Sequence, residues 1–190
     1  MAQQTPQPED ITGGPRRVLT IWHKAECWIA FAAFLFISVI IVYDVIAREV
    51  IIPILQAFDL PTGTAVIRGA SKLGVYGLIV GAFFGLGIAT ASGAQIVPKV
   101  AFGWVPKAWG PLVDRASDVF SGAFFLAAAW IAFLFVQSSR DLGMLTSGGV
   151  RIEVWFIQAV MPLGFASVGL RYLCYAIWPD SRPILPEFAE

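Results

Sequence analysis

Histidine is almost missing from this chain: His23 is the single one among 190 residues, and it precedes the first long apolar run. Haem held by two histidines of one chain is thereby excluded. So is a metal centre, because no His, Cys, Asp or Glu group has ligand spacing. Cysteine is scarce as well. Cys27 and Cys174 each sit near an end of an apolar stretch and read as isolated thiols. Charged residues make up 14% of the chain, where soluble domains average about 25%. The formal net charge is zero, so there is no electrostatic footprint for nucleic acid. A nucleophile elbow, a phosphate loop and a dinucleotide fingerprint are all missing. The chain reads as a non-enzyme with no cofactor.

What is present is hydrocarbon. Hydrophobic residues make up 57% of the chain and the mean hydropathy is +0.73. The composition predicts an all-α integral membrane protein with four transmembrane helices, over about 25–48, 70–92, 116–138 and 153–178. Residues 1–20 read as a flexible polar tail, 21–180 as the membrane domain and 181–190 as a second tail. The run from Cys27 to Tyr43 is longer than the apolar core of a usual signal peptide, and further spans follow, so it reads as an uncleaved first helix.

Several features qualify this plan. Asp44 and Arg48 stand four apart and can pair on one helix face. Pro53 and Pro61, with Asp59 and Gly63, are expected to break the first helix into a loop. The stretch Ala94–Arg115 mixes Phe102, Trp104 and Trp109 with Lys99 and Lys107. It is expected to lie along the membrane surface as an amphipathic segment between helices two and three, an ordinary loop being the alternative. The Met161-Pro162 pair and Arg171 are expected to interrupt the last helix, and Arg171 to snorkel toward its aromatic end at Tyr172, Tyr175 and Trp178.

The second helix carries the clearest pattern. Gly77, Gly81 and Gly85 fall four apart, and Ala89 and Gly93 continue the spacing, with no charge between Leu73 and Ala91. Glycine costs about 1 kcal/mol relative to alanine in a soluble helix. In lipid, small residues at this spacing let a second helix approach closely. Gly77, Gly81, Gly85 and Ala89, with Pro162, are therefore the candidate helix-packing or subunit-interface residues. Strict i, i+4 spacing drifts about 40° per step around a helix, so one straight partner cannot follow the whole ladder.

Four spans put both ends on one side. Arg16, Arg17, Lys24, Lys99, Lys107, Arg115, Arg171 and Arg182 fall there, against Arg48, Arg68, Lys72, Arg140 and Arg151 opposite. The bias predicts cytoplasmic termini. No span has a charge at its centre, so a self-contained transporter is hard to build here. The physics points to a subunit whose value lies in what it packs against, with membrane lipids around it.

Three stretches together carry a family resemblance. The first helix has Glu26 at its start and Arg48 at its end. The second ends in GAFFGLGIATASGAQIVPKV, and the fourth reads IEVWFIQAVMPLGFASVGLRYL, proline-interrupted with a following arginine. In order and layout, from Ile21 to Trp178, the chain resembles the small membrane subunit of tripartite ATP-independent periplasmic (TRAP) transporters. It departs from the family pattern in the second of these stretches. The family commonly has arginine near Ala91, histidine at Gln95 and an acidic residue shortly after, where this chain has Pro98 and Lys99. Arg68 and its neighbours replace an acidic residue at the entry to the second helix, so no polar role is carried to that turn. The resemblance implies a bacterial inner-membrane system for ion-coupled uptake of a carboxylate-type solute. Its partners would be a large multi-span permease subunit and a periplasmic substrate-binding protein. The small subunit would scaffold the large one and help dock the binding protein, with Arg68, Arg140 and Arg151 as candidate docking residues. A membrane anchor for a respiratory redox enzyme, sharing haem with another subunit, is the alternative.

Overall fold

The computed structural model describes residues 14–61, 63, 66–67, 69–94, 109–146 and 151–183. Four helices among them are long and apolar enough to cross a membrane, and no strand occurs among the described residues, only an isolated bridge between Leu145 and Glu153.

Helix α1 runs from Gly14 to Ile46. Residues 14–20, expected in the polar tail, are its first turns. Pro15 stands second in the helix, in the first turn, where a missing N–H costs nothing. At the other end the chain does not stop at Pro53. A π-helical turn, Ala47–Ile51, leads directly into α2, Ile52–Ala57, with Pro53 in the first turn of α2. Proline cannot donate to the carbonyl four residues back, and the wider turn absorbs that mismatch without ending the helix. The break comes at Phe58–Asp59, where Asp59 adopts a left-handed φ of 51°. The Asp44–Arg48 pair forms as expected, at 3.0 Å.

Helix α3 spans Ala70–Ala91 and α4 spans Gly110–Asp141. Of the stretch expected along the membrane surface, residues 95–108 lie outside the described residues, and Gly110–Arg115 belong to the start of α4. The last span is α5, Val154–Gln158, followed after a turn at Ala159 by α6, Val160–Ile177. Pro162 accounts for the turn: its ring clashes with the carbonyl four residues back, that of Gln158, where α5 ends. There is no second interruption at Arg171.

The helices pack as a row. α1 lies along α3, α3 along α6, and α6 along α4, while α1 and α4 make no comparable contact with each other. The α1–α3 seam is antiparallel. Gly74 faces Ile41, Gly77 faces Ile37 and Phe36, and Gly81 faces Phe34, so partner numbers fall on α1 as they rise on α3. At α4–α6, Gly122 and Gly169 cross: a Cβ built on either would stand 3.1–3.2 Å from the other's carbonyl oxygen. Aromatics tie α3, α6 and α4 together. Phe83 of α3 meets Phe165 of α6 edge-on at 5.2 Å, and Phe125 of α4 stacks on Tyr172 at 6.0 Å. In lipid, apolar burial alone does not drive helices together, and close packing of small residues takes its place.

Candidate functional site

Among the described residues the most buried polar group lies where α1, α3 and α6 meet. Glu26 is 2% exposed and Arg171 is 1% exposed. The Arg171 guanidinium donates through Nη2 to Glu26 Oε2 at 2.5 Å. Ser167, one turn earlier on α6, donates to Glu26 Oε1. The guanidinium carbon stands 5.5 Å from the Trp22 ring centroid, a cation–π contact from one turn earlier on α1. Helix α3 contributes an empty space: a Cβ at Gly87 would come within 2.5 Å of Glu26 Oε1. The carboxylate therefore lies against bare backbone.

This overturns the snorkelling expected of Arg171. Its charge goes inward, to a carboxylate on another helix, and not out to the headgroups. A buried ion is tolerated in lipid only when paired, and each partner of this pair explains the other. Arg171 keeps one unmet donor, Nε, which has no acceptor among the described residues.

A second charge cluster closes the same end of the row. Arg182, just beyond α6, reaches back to α4, with Nε 3.0 Å from Asp118 Oδ2, Nη2 2.8 Å from the Asp114 carbonyl and Nη1 3.2 Å from Asp114 Oδ2. Burial works against the Arg182 charge, but the Asp118 and Asp114 carboxylates outweigh it and hold the guanidinium above its ordinary value.

The glycine ladder divides. Gly77 and Gly81 are buried against α1 of the same chain, whereas a Cβ at Gly85 would meet nothing within 4 Å, and Ala89 is only half-buried. Leu78, Ala82, Gly85 and Ala89 form one line on α3, and Leu78 and Ala82 are exposed. Gly81→Leu is therefore expected to destabilise the chain itself, by about 1–3 kcal/mol, because Phe34 lies 3.0 Å from the added Cβ. Thermal denaturation of the purified chain checks this, and a melting point equal to the parent's would deny the α1–α3 seam.

At the opposite end, Arg140 lies over the Trp155 ring at 5.5 Å, and the Trp155 indole donates to Glu153. Backbone bonds from Thr146 to Ile152 and from Val154 to Met144 hold the two sides of this loop together. Arg140 and Arg151 are both exposed; Arg68 lies outside the described residues. Sequence reasoning missed the Glu26–Arg171 and Arg182–Asp118 pairs and the Gly122–Gly169 crossing. Each joins residues far apart in the chain.

Among the described residues no group of His, Cys, Asp and Glu could hold a metal ion. The buried charges Glu26, Arg171 and Asp118 are paired within the chain, and four spans stand one helix deep. These features define a small integral-membrane subunit built around helix packing. The family model described as "Tripartite ATP-independent periplasmic transporters, DctQ component" matches residues 37–182, and the chain belongs to that family. It is a small permease subunit of a TRAP transporter and not an enzyme, which sets aside the redox-anchor alternative. Comparison with curated proteins and with solved structures gave no match. The matched region contains Ser167 and Arg171 but begins after Glu26.

Proposed function

We propose that this subunit scaffolds the large permease subunit in the bacterial inner membrane and helps to dock a periplasmic binding protein, for ion-coupled uptake of a carboxylate-type solute. One observation carries the scaffold reading: the four spans form a row one helix deep. A path across the membrane needs walls on all sides, and a single row encloses none. In the edge helices α1 and α4 only 17% of the most apolar window is buried, against 33% in the last span. Broad apolar faces are thus left for lipid and for a larger partner. One holds a groove of about 530 Å³ between α1, α3 and the last span, lined by Phe36, Gly77, Val80, Phe156 and Val160 among others. The charge bias supports cytoplasmic termini, an orientation in which the Arg140–Arg151 loop faces the binding protein.

The test is co-purification. The tagged chain is expected to bring down a much larger multi-span protein, while the isolated chain binds no carboxylate in calorimetry. Gly85→Leu separates partner from fold, since a Cβ there meets nothing within 4 Å among the described residues. It is expected to keep the parent's melting behaviour and to lower the yield of complex, and an unchanged yield would leave that line of α3 to lipid. Charge reversal at Arg140 and Arg151 together is expected to weaken uptake at low binding-protein concentration several-fold, with complex yield unchanged. Uptake with the parent's dependence on binding protein would remove the docking role.

A further inference from the structure

We infer that the end of the row where α1 begins holds a binding site for a phosphate group, supplied by an anionic lipid headgroup or by free phosphate. A cavity of about 390 Å³ opens there, where α1 begins, α3 ends at Ala91 and the chain leaves α6. Arg16, His23, Arg171, Tyr175, Asp180 and Arg182 line it. Three guanidiniums thus converge from three parts of the sequence.

The carboxylates that answer two of them stand outside the lining. Glu26 holds Arg171, and Asp114 and Asp118 hold Arg182. Arg16 is different, because its guanidinium donates to a neutral acceptor, the backbone carbonyl of Asp180. Among the described residues no carboxylate pairs with it. Asp180 supplies the one carboxylate of the lining, and its side chain belongs to an exposed residue. Arg171 Nε, in a side chain almost wholly buried, is a donor without an acceptor. Thr20 and Ser181 also line the wall, their hydroxyls donating to the backbone carbonyls of Arg16 and Trp178. A cavity lined by three guanidiniums, one of them without a carboxylate partner, suits a tetrahedral oxyanion, which guanidinium binds through a two-pronged fork.

The surroundings suit a lipid in particular. Val18 and Ile21 in the first turns of α1, Ile177 at the end of α6 and Trp178 just beyond it are exposed apolar side chains. An acyl chain could lie along them while its phosphate enters the cavity, and tryptophan favours that headgroup depth.

The test uses the full chain reconstituted in phosphatidylcholine nanodiscs, with and without a minority of phosphatidylglycerol, and counts the lipids retained on release into a mass spectrometer. The parent is expected to keep phosphatidylglycerol selectively, and Arg16→Gln to weaken that retention about fivefold. Arg17→Gln, one residue on and outside the lining, is expected to keep it. Equal retention by the parent and Arg16→Gln would overturn the site, unless inorganic phosphate alone raises the parent's melting temperature in an Arg16-dependent manner, which would identify free phosphate as the ligand. An equal loss in Arg17→Gln would overturn it too, as general surface attraction. Should Arg16→Gln not fold, Arg16→Lys keeps the charge without the fork and is expected to bind less than the parent; parent-like retention by that variant would overturn the site.

Discussion

Glu26→Ala is expected to cost the fold about 3–5 kcal/mol, because it leaves Arg171 buried with no counter-charge. The guanidinium is 1% exposed, and its remaining partner would be the face of Trp22, worth far less than a carboxylate. Arg171→Ala is expected to cost a similar amount, since Ser167 alone then faces the Glu26 charge. The two losses should not add. Glu26→Ala combined with Arg171→Met removes both charges and fills part of the space, and buried pairs replaced by apolar groups are often close to neutral. The double variant is therefore expected to melt above either single variant in detergent, followed by tryptophan fluorescence. If either single change left the melting curve where it was, the pair would be an accessory contact and not the tie between α1 and α6. Gly87→Ala probes the same point from α3. Its Cβ would press on a carboxylate that cannot swing away without abandoning Arg171 and Ser167.

That pair also marks how far sequence alone could reach. Span number, the helical class and the family were legible because each is written in continuous stretches: long apolar runs, a proline-interrupted last helix, a glycine-rich second one. The pairing of α1 with α3 was half legible. Gly77 and Gly81 announced a close approach, but the same spacing continued to Gly85, which a Cβ would leave in open space. Periodicity shows that a face is smooth; it does not say where along the face a partner departs. The Glu26–Arg171 pair was legible in principle. Arg171 is a lone ion inside an apolar stretch, Glu26 is an ion of opposite sign at the start of another, and four spans bring the start of α1 and the end of α6 to one side of the membrane. Matching their depths would have joined them. Reading Arg171 by itself, beside three aromatics, led to the snorkelling expectation instead. The turn before α6 could be anticipated from Pro162, whereas the continuation of α1 through Pro53 could not. The two prolines differ in what surrounds them: a π-helical turn relieves the first, and the second stands where α5 ends.

Gly169→Ala should reverse the sign that helix propensity gives. In a soluble helix the change would gain about 1 kcal/mol. Here the new Cβ would stand 2.9 Å from Leu126 Cγ and 3.1 Å from the Gly122 carbonyl oxygen. The leucine could turn aside, but the oxygen belongs to the α4 backbone, so relief requires the two helices to separate. Overpacking of this kind costs about 1–3 kcal/mol, which exceeds the propensity gain, and Leu at the same position should abolish folded yield. Gly122→Ala meets Leu173 at 2.9 Å and the Gly169 carbonyl oxygen at 3.2 Å from the other side. Because the two changes strain one crossing, the double variant is expected to lose less than the sum of the singles, the helices having already parted. Gly85→Ala, on open surface, supplies the contrast and is expected to be neutral or slightly stabilising. Parallel melting curves for Gly85→Ala and Gly169→Ala would mean that α4 and α6 do not cross through these glycines. A clear gap between them would show that backbone contact at Gly122 and Gly169 sets the distance between the last two spans.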